Sequence, residues 1–250
     1  MAKSDKHIAV LSDDGSYTAY STEYEEHYHS TKDGALHESL VKHVVPAFSV
    51  VHKDEVFILD ICYGLGFNTL ATLLYYQEHR PKAKLYIYSP ELDEVLVRSL
   101  ENFTYPKEFD LFKEIVICLS KEGVYEDEHI YIEVFLGDAR EYVRKFENKF
   151  DIVYQDAFSP SANPALWTQE YFSDVKKAMK EEGILTTYSI ALQTRMALHE
   201  NGFHVYLNEG ENFRGATLAS FKKLNNFKLV DVEHKMRCNP SVVSLRDAQV

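Results

Sequence analysis

The chain has 250 residues and a formal charge of −12, which fits one large domain or one domain with an appendage. That charge argues against gripping nucleic acid through a broadly basic surface and leaves only a local basic strip for such a task. No apolar run reaches the roughly 18 residues of a membrane span. The three cysteines, Cys62, Cys118 and Cys238, are too far apart for a zinc site or a C-x-x-C pair.

The first residues, Met1 to Lys6, carry no apolar signal core, so a cytoplasmic location is expected. His7–Leu11 and Tyr17–Tyr20 read as a hairpin turning at Asp13-Asp14-Gly15-Ser16. An aromatic loop, Tyr24 to Ser30, follows. Its rings and those of Tyr17 and Tyr20 either pack on a neighbouring strand or form a lid over a ligand cleft. His27 and His29 are the only close histidine pair and have no third ligand nearby, so no metal is expected. A helix is predicted from about Ala35 to Val45, stopped by Pro46. Residues 1–48 are thus expected to form a hairpin and lid packed on a core made by residues 49–250.

Val56–Leu59 reads as a buried strand, Asp60 to Asn68 as a turn with Gly64 and Gly66, and Thr69–Leu74 as a helix start. Strand, glycine turn and helix N-terminus make a nucleotide cradle. A dinucleotide fingerprint needs a third glycine, and Thr69 stands in its place. Asp60 at the strand end suits S-adenosylmethionine better, because that molecule has no pyrophosphate and carries an ammonium. A plain tight turn is the alternative.

The helix closes at Arg80-Pro81, and Lys84–Ser89 is a second strand ending near Glu91. An acid there is placed to hold ribose hydroxyls. Asp93 is its rival, with helix capping as its structural role. Residues 101–130 read as a helical insertion above the sheet. A third strand, Tyr131–Leu136, runs into Asp138 and Ala139, where the acid either accepts from an adenine amino group or caps a helix to Phe146, or does both. The fourth strand, Phe150–Gln155, ends at Asp156, followed by Phe158 and Pro160. A carboxylate and free backbone carbonyls at this point would accept the N–H bonds of an amine being methylated. Capping is the structural alternative for Asp156. Further on come a helix from about Gln169 to Glu181 ended by Gly183, a strand Ile184–Tyr188, a helix Ile190–Glu200, two antiparallel strands (Phe203–Leu207 and Thr217–Phe221), and an irregular tail from Phe227. Lys176, Lys177, Lys180, Arg195, Arg214, Lys222, Lys223, Lys235 and Arg237 are the candidates for a basic strip. The expected fold is α/β, a mainly parallel sheet with helices on both faces and an antiparallel last strand.

Asp14-Gly15-Ser16-Tyr17, Tyr28-His29-Ser30, Leu59 to Asn68, Asp156-Ala157-Phe158-Ser159-Pro160 with Asn163-Pro164 and Leu166-Trp167-Thr168, and Gly183 to Ser189 together carry a resemblance. The chain resembles the methyltransferase domain of the tRNA-modifying MnmC family, in a stand-alone form without the flavin oxidase domain. Arg214 with Ala216-Thr217-Leu218-Ala219, and Leu245-Arg246-Asp247, are similar too. The resemblance implies a class I, Rossmann-like S-adenosylmethionine-dependent methyltransferase with a seven-stranded sheet. It implies N-methylation of the 5-aminomethyl group on the wobble uridine of tRNA, with S-adenosyl-L-methionine as cofactor. By motif position Glu91 holds the ribose and Asp156 sits at the transfer centre. Tyr17, Gly64, Gly66 and Pro160 line the pocket, with Asp60, Asn68, Asp138 and Ala139 as further cofactor contacts. Cys62 replaces the family's usual glycine, and either narrows the pocket or marks a turn that needs no left-handed residue there. Tyr20, Tyr28, Phe158, Trp167 and Arg214 are the candidate substrate contacts, although Trp167 also reads as core. Two rival readings remain: an aminopropyltransferase acting on a small amine, and a non-catalytic nucleotide-binding module.

Overall fold

The computed structural model describes residues 6–80, 82–210 and 213–250. Met1 to Asp5 and Pro81, which with Arg80 is expected to close the helix, lie outside them. Strands β1 (His7–Leu11), β2 (Tyr17–Ser21) and β3 (Glu26–His27) form a small antiparallel sheet. The β1–β2 turn forms because the Asp14 carboxylate accepts from Ser16 N and Oγ. The segment read as an aromatic loop therefore supplies a third strand.

The next helical stretch does not stop at Pro46. It runs through α1 (Ala35–Ser39), a π turn (Leu40–Val44) and α2 (Val45–Phe48), with Pro46 in the first turn of α2. Proline is tolerated in a first helical turn, where its missing N–H has no obligatory partner, and the wider π turn resets the ladder just before it.

The main sheet is built from β4 (Glu55–Ile61), β5 (Lys84–Glu91), β6 (Val124–Glu126), β7 (Ile130–Leu136), β8 (Phe150–Gln155), β9 (Met179–Thr187), β10 (His204–Gly210), β11 (Phe213–Ser220) and β12 (Lys228–Leu229). Its order is β12-β10-β11-β9-β8-β4-β5-β7-β6. The five strands from β9 to β7 are parallel, and β11 lies antiparallel between β9 and β10. The seven expected strands are thus present, with short antiparallel strands added at each edge. Helices α3 (Phe67–His79), α4 (Glu94–Ser99) and α5 (Lys113–Glu122), together with α1 and α2, cover one face. Helices α6 (Ala139–Val143), α7 (Gln169–Ala178), α8 (Leu192–Glu200) and α9 (Val232–Cys238) cover the other. Each face buries its own apolar cluster: Ile58, Leu70, Ile87 and Ile132 on the first, Leu59, Val153, Phe172 and Leu185 on the second. Alternate β4 residues feed opposite clusters, as the period of two requires.

Three further expectations are corrected. The 101–130 segment does not only lie above the sheet, because its β6 pairs with β7. Gly183 is not a helix terminator. The helix ends at Ala178, and Gly183 sits inside β9 at a register shift against β8, where a Cβ would come within 3.0 Å of Phe150 O and 2.9 Å of Lys180 O. The tail is not irregular throughout, since Asp231 caps α9 by accepting from His234 N.

Candidate active site

Strand order reverses between β4 and β8, so the chain leaves neighbouring strands in opposite directions and opens a crevice at their carboxyl ends. A cavity of about 510 Å³ lies there, roofed by the small sheet. The roof is tied down at three places. His7 Nε2 lies 3.0 Å from Asp93 Oδ2. Glu26 of β3 accepts from Ser159 N at 2.9 Å and from its hydroxyl. Tyr24 stacks on Phe158 at 4.5 Å, and Tyr28 meets the same ring edge-on.

The turn after β4 forms the cavity floor. Gly66 adopts φ 77° at the N-cap of α3, and a Cβ there would strike the Tyr63 ring at 2.9 Å. Gly64 has φ 54°, with a notional Cβ 3.2 Å from the Tyr28 ring. Cys62 has φ 66°, so the turn does need a left-handed residue, and this chain meets the need with a side chain at a cost of about 1–2 kcal/mol. The Cys62→Gly variant is therefore expected to melt about 2–8 °C above Cys62→Ala, since both lack the thiol and only alanine keeps the strain. Equal melting temperatures would show the turn to be unstrained.

Glu91 lines the cavity with its carboxylate already oriented, accepting from Gly64 N at 2.8 Å and from Asp93 N at 2.9 Å. Burial raises its pKa, and these N–H bonds oppose the rise. Asp93 caps α4 by accepting from Leu96 N. Asp138 caps α6 by accepting from Arg140 N at 2.7 Å and also lines the cavity, as does Ala139. Capping and ligand contact are thus compatible at Asp138.

Asp156 follows β8 and faces the cavity. Its Oδ2 accepts from Asn68 Nδ2 at 2.8 Å, and its Oδ1 lies 3.4 Å from His43 Nε2. Burial would raise its pKa, but the fields and bonds of His43, His29 and Asn68 outweigh that and hold the carboxyl below its ordinary value. Asn68 Oδ1 is buried without a partner and belongs to a side chain that lines the cavity. The free carbonyls expected beside Asp156 are not free: Ala157 O accepts from Tyr188 OH, Phe158 O from Trp167 Nε1, and Ser159 O from Ala162 N and Asn163 N. In this loop the acceptor left facing the cavity is therefore the Asp156 side chain.

Of the other expected site residues, Cys62, Gly64, Tyr28 and Phe158 line the cavity. Tyr17, Tyr20, Asp60, Gly66, Pro160, Trp167 and Arg214 are not among its lining residues. Asp60 was expected near the ligand's ammonium. It is instead buried beneath the turn, where it accepts from Thr69 Oγ1 at 2.8 Å and from Asn68 Nδ2 at 3.4 Å. It shapes the site through Asn68. Tyr20 packs against His27, and exposed Arg214 lies on β11. Trp167 is core, packed against Phe172 and Tyr188.

Burial lifts the Asp60 pKa to about 7. A raised folded-state pKa means that its contribution to stability is present below about pH 4 and lost as pH climbs through about 7. Asp60→Asn removes that loss. Its melting temperature relative to wild type is expected to rise between pH 5 and pH 8, and a pH-independent difference would refute the shift.

None of the basic candidates lines the cavity. Arg195 is buried and bonds Thr217. Lys180 pairs with Asp151, Lys177 with Asp174 and Lys222 with Glu182. The lining instead contains Glu23, Glu91, Asp93, Glu94, Asp138 and Asp156.

A family described as S-adenosyl-L-methionine-dependent methyltransferase matches residues 110–222. The crystal structure of MnmC2 from Aquifex aeolicus is similar with a TM-score of 0.84 and 32% identity, covering 99% of this chain and 81% of that one. The chain belongs to the MnmC-like methyltransferase family. Among other MnmC-like relatives, the bifunctional tRNA 5-methylaminomethyl-2-thiouridine biosynthesis protein MnmC of Azoarcus is 28% identical over 203 residues, 75% of this chain and 31% of that protein. An uncharacterized protein of Methanocaldococcus jannaschii is 34% identical over 229 residues, 90% of this chain and 62% of that protein. The chain thus spans less than two thirds of either relative's length. No helix among the described residues is long and apolar enough to cross a membrane.

As an MnmC-like methyltransferase the protein uses S-adenosylmethionine, and its cavity fits that molecule. The ligand offers two ribose hydroxyls, an adenine amino group, an ammonium and a sulfonium, and one carboxylate for which Lys6 and Arg140 are the basic side chains in the lining. The lining answers with the acceptors Glu91, Asp138, Asp156 and the unpartnered Asn68 Oδ1. A cation-rich donor set meeting an anion-rich acceptor set is the complementarity that such a site needs.

Proposed function

We propose that this methyltransferase acts on a primary amine, the 5-aminomethyl group of the wobble uridine in tRNA, to give 5-methylaminomethyl-uridine or its 2-thio form. S-adenosylmethionine supplies a methyl group already activated on its sulfonium. In this reading Glu91 holds the ribose, Asp138 with Ala139 the adenine, and Asn68 the amino-acid end. Asp156 accepts an N–H bond of the amine, orients its lone pair and stabilises the positive charge that grows on nitrogen. Tyr24, Tyr28 and Phe158, already in mutual contact at the cavity wall, offer stacking faces for a base that has left the anticodon stack.

The observation that carries the reading is the Asp156 carboxylate, fixed by Asn68 and open to the cavity at the end of β8. Family membership and the named activity of the MnmC relatives support the tRNA substrate.

The acidic lining favours a second reading, a small free polyamine as acceptor. Against it, Ala157, where paired aspartates would place a second acid, is buried. Nucleoside mass spectrometry of undermodified tRNA incubated with the protein and S-adenosylmethionine is expected to show 5-methylaminomethyl-uridine. A product from putrescine and the decarboxylated donor, with unmodified tRNA, would favour the second reading.

A further inference from the structure

A primary ammonium titrates near the roughly 10.4 of lysine, so at neutral pH the substrate of the proposed reaction arrives protonated. It must shed one proton before its nitrogen has a lone pair to use. Asp156 orients that nitrogen, but a carboxyl titrates at about 4 in its ordinary state and keeps a proton poorly at neutral pH. Another acceptor has to stand behind it.

His43 stands there. It lies in the π turn, is 1% exposed, and is absent from the cavity lining. Its Nδ1 lies 2.8 Å from Thr186 Oγ1 on β9. Its Nε2 is buried, has no hydrogen-bond partner among the described residues, and lies 3.4 Å from Asp156 Oδ1, close to hydrogen-bond reach. The ring edge-packs on Tyr154 of β8. Asp60 at the end of β4 and His29 from the roof bear on both members of this pair, Cys62 and Tyr188 bear on Asp156, and Lys42 on the same helical stretch is paired with Glu38. In the tautomer whose Nδ1–H donates to Thr186 Oγ1, Nε2 carries the lone pair that can take a proton, and once protonated it would balance the carboxylate. Sealed from the cavity, it exchanges a proton with the substrate through Asp156.

We infer that His43 is a positioning residue that takes up, through Asp156, the proton shed by the substrate ammonium. The step rests on the amine-methylation reading above. The N–H bond of the ammonium breaks, its electron pair stays on nitrogen, and the proton passes by way of the Asp156 carboxylate to Nε2. The nitrogen pair then forms the new N–C bond while the C–S pair stays with sulfur. The product leaves as a secondary ammonium, and the imidazolium returns its proton to water after release.

The test is the pH profile of kcat/KM for His43→Gln, which keeps an N–H near Asp156 but cannot take a proton. At pH 7 its kcat/KM for amine-bearing tRNA is expected to fall about 100-fold, with S-adenosylmethionine affinity by calorimetry unchanged. The deficit should shrink toward pH 9.5, as more amine arrives neutral. Thr186→Val, which removes the Nδ1 partner and leaves His43 in place, should show the same pH-dependent deficit, smaller in size. A loss equal at every pH in both variants, or wild-type rates at pH 7 in both, overturns the relay alone. Absence of wild-type transfer to amine-bearing tRNA at every pH overturns the amine reading, and the relay with it.

Discussion

Asp156→Asn is expected to lower methyl transfer on the order of 10³-fold while the protein still binds S-adenosylmethionine. The amide can keep its oxygen toward Asn68 Nδ2, so the loop should hold its shape. Its NH₂ group must then face the substrate nitrogen, where a donor meets a donor. The charge that would stabilise the developing ammonium is also gone. Single-turnover assays with undermodified tRNA, run beside calorimetry, separate the two effects. Wild-type turnover would remove Asp156 from the reaction, and loss of donor affinity alone would make it a binding residue.

Glu91→Ala is expected to weaken S-adenosylmethionine binding by about 100-fold, or roughly 2.7 kcal/mol. Two effects add. The ribose hydroxyls lose their acceptor, and Gly64 N and Asp93 N lose theirs, which loosens the turn that forms the cavity floor. Glu91→Gln keeps one carbonyl oxygen and should lose less. Asp93→Asn probes the rival acid. Asp93 caps α4 and holds His7, so that variant should leave donor affinity within a few-fold of wild type. Calorimetry on the three variants decides the assignment, and a larger loss for Asp93→Asn than for Glu91→Ala would reverse it.

The glycine turn and the three acidic strand ends were readable because each is a local pattern: an apolar run, a turn residue, an acid at a fixed place. The side to which each acid turns is not local. Asp60 lies at the end of β4 and Asp156 just after β8, yet one faces inward under Thr69 and the other faces the cavity. Adjacent side chains alternate at a strand end, and sequence leaves the phase open. His43 was missed for a related reason. Its partner Thr186 is 143 positions away, and only the sheet order brings the π turn against β8 and β9. Nothing local reveals that Tyr188 and Trp167 reach back to the carbonyls after Asp156. The basic residues were judged one at a time, while ion pairing with Asp151, Asp174 and Glu182 is a property of the folded surface. Cys62 is the opposite case. The departure from glycine was visible in the sequence, and the structure supplies the positive φ that makes it a strained position.

The most direct test of the account is a crystal structure of the protein with S-adenosylhomocysteine. The expected result places the ribose on the Glu91 carboxylate and the sulfur at the Asp156 end of the cavity, with the Asp156 carboxylate turned toward it. A ligand bound elsewhere, or an Asp156 side chain turned away from the sulfur, would contradict it.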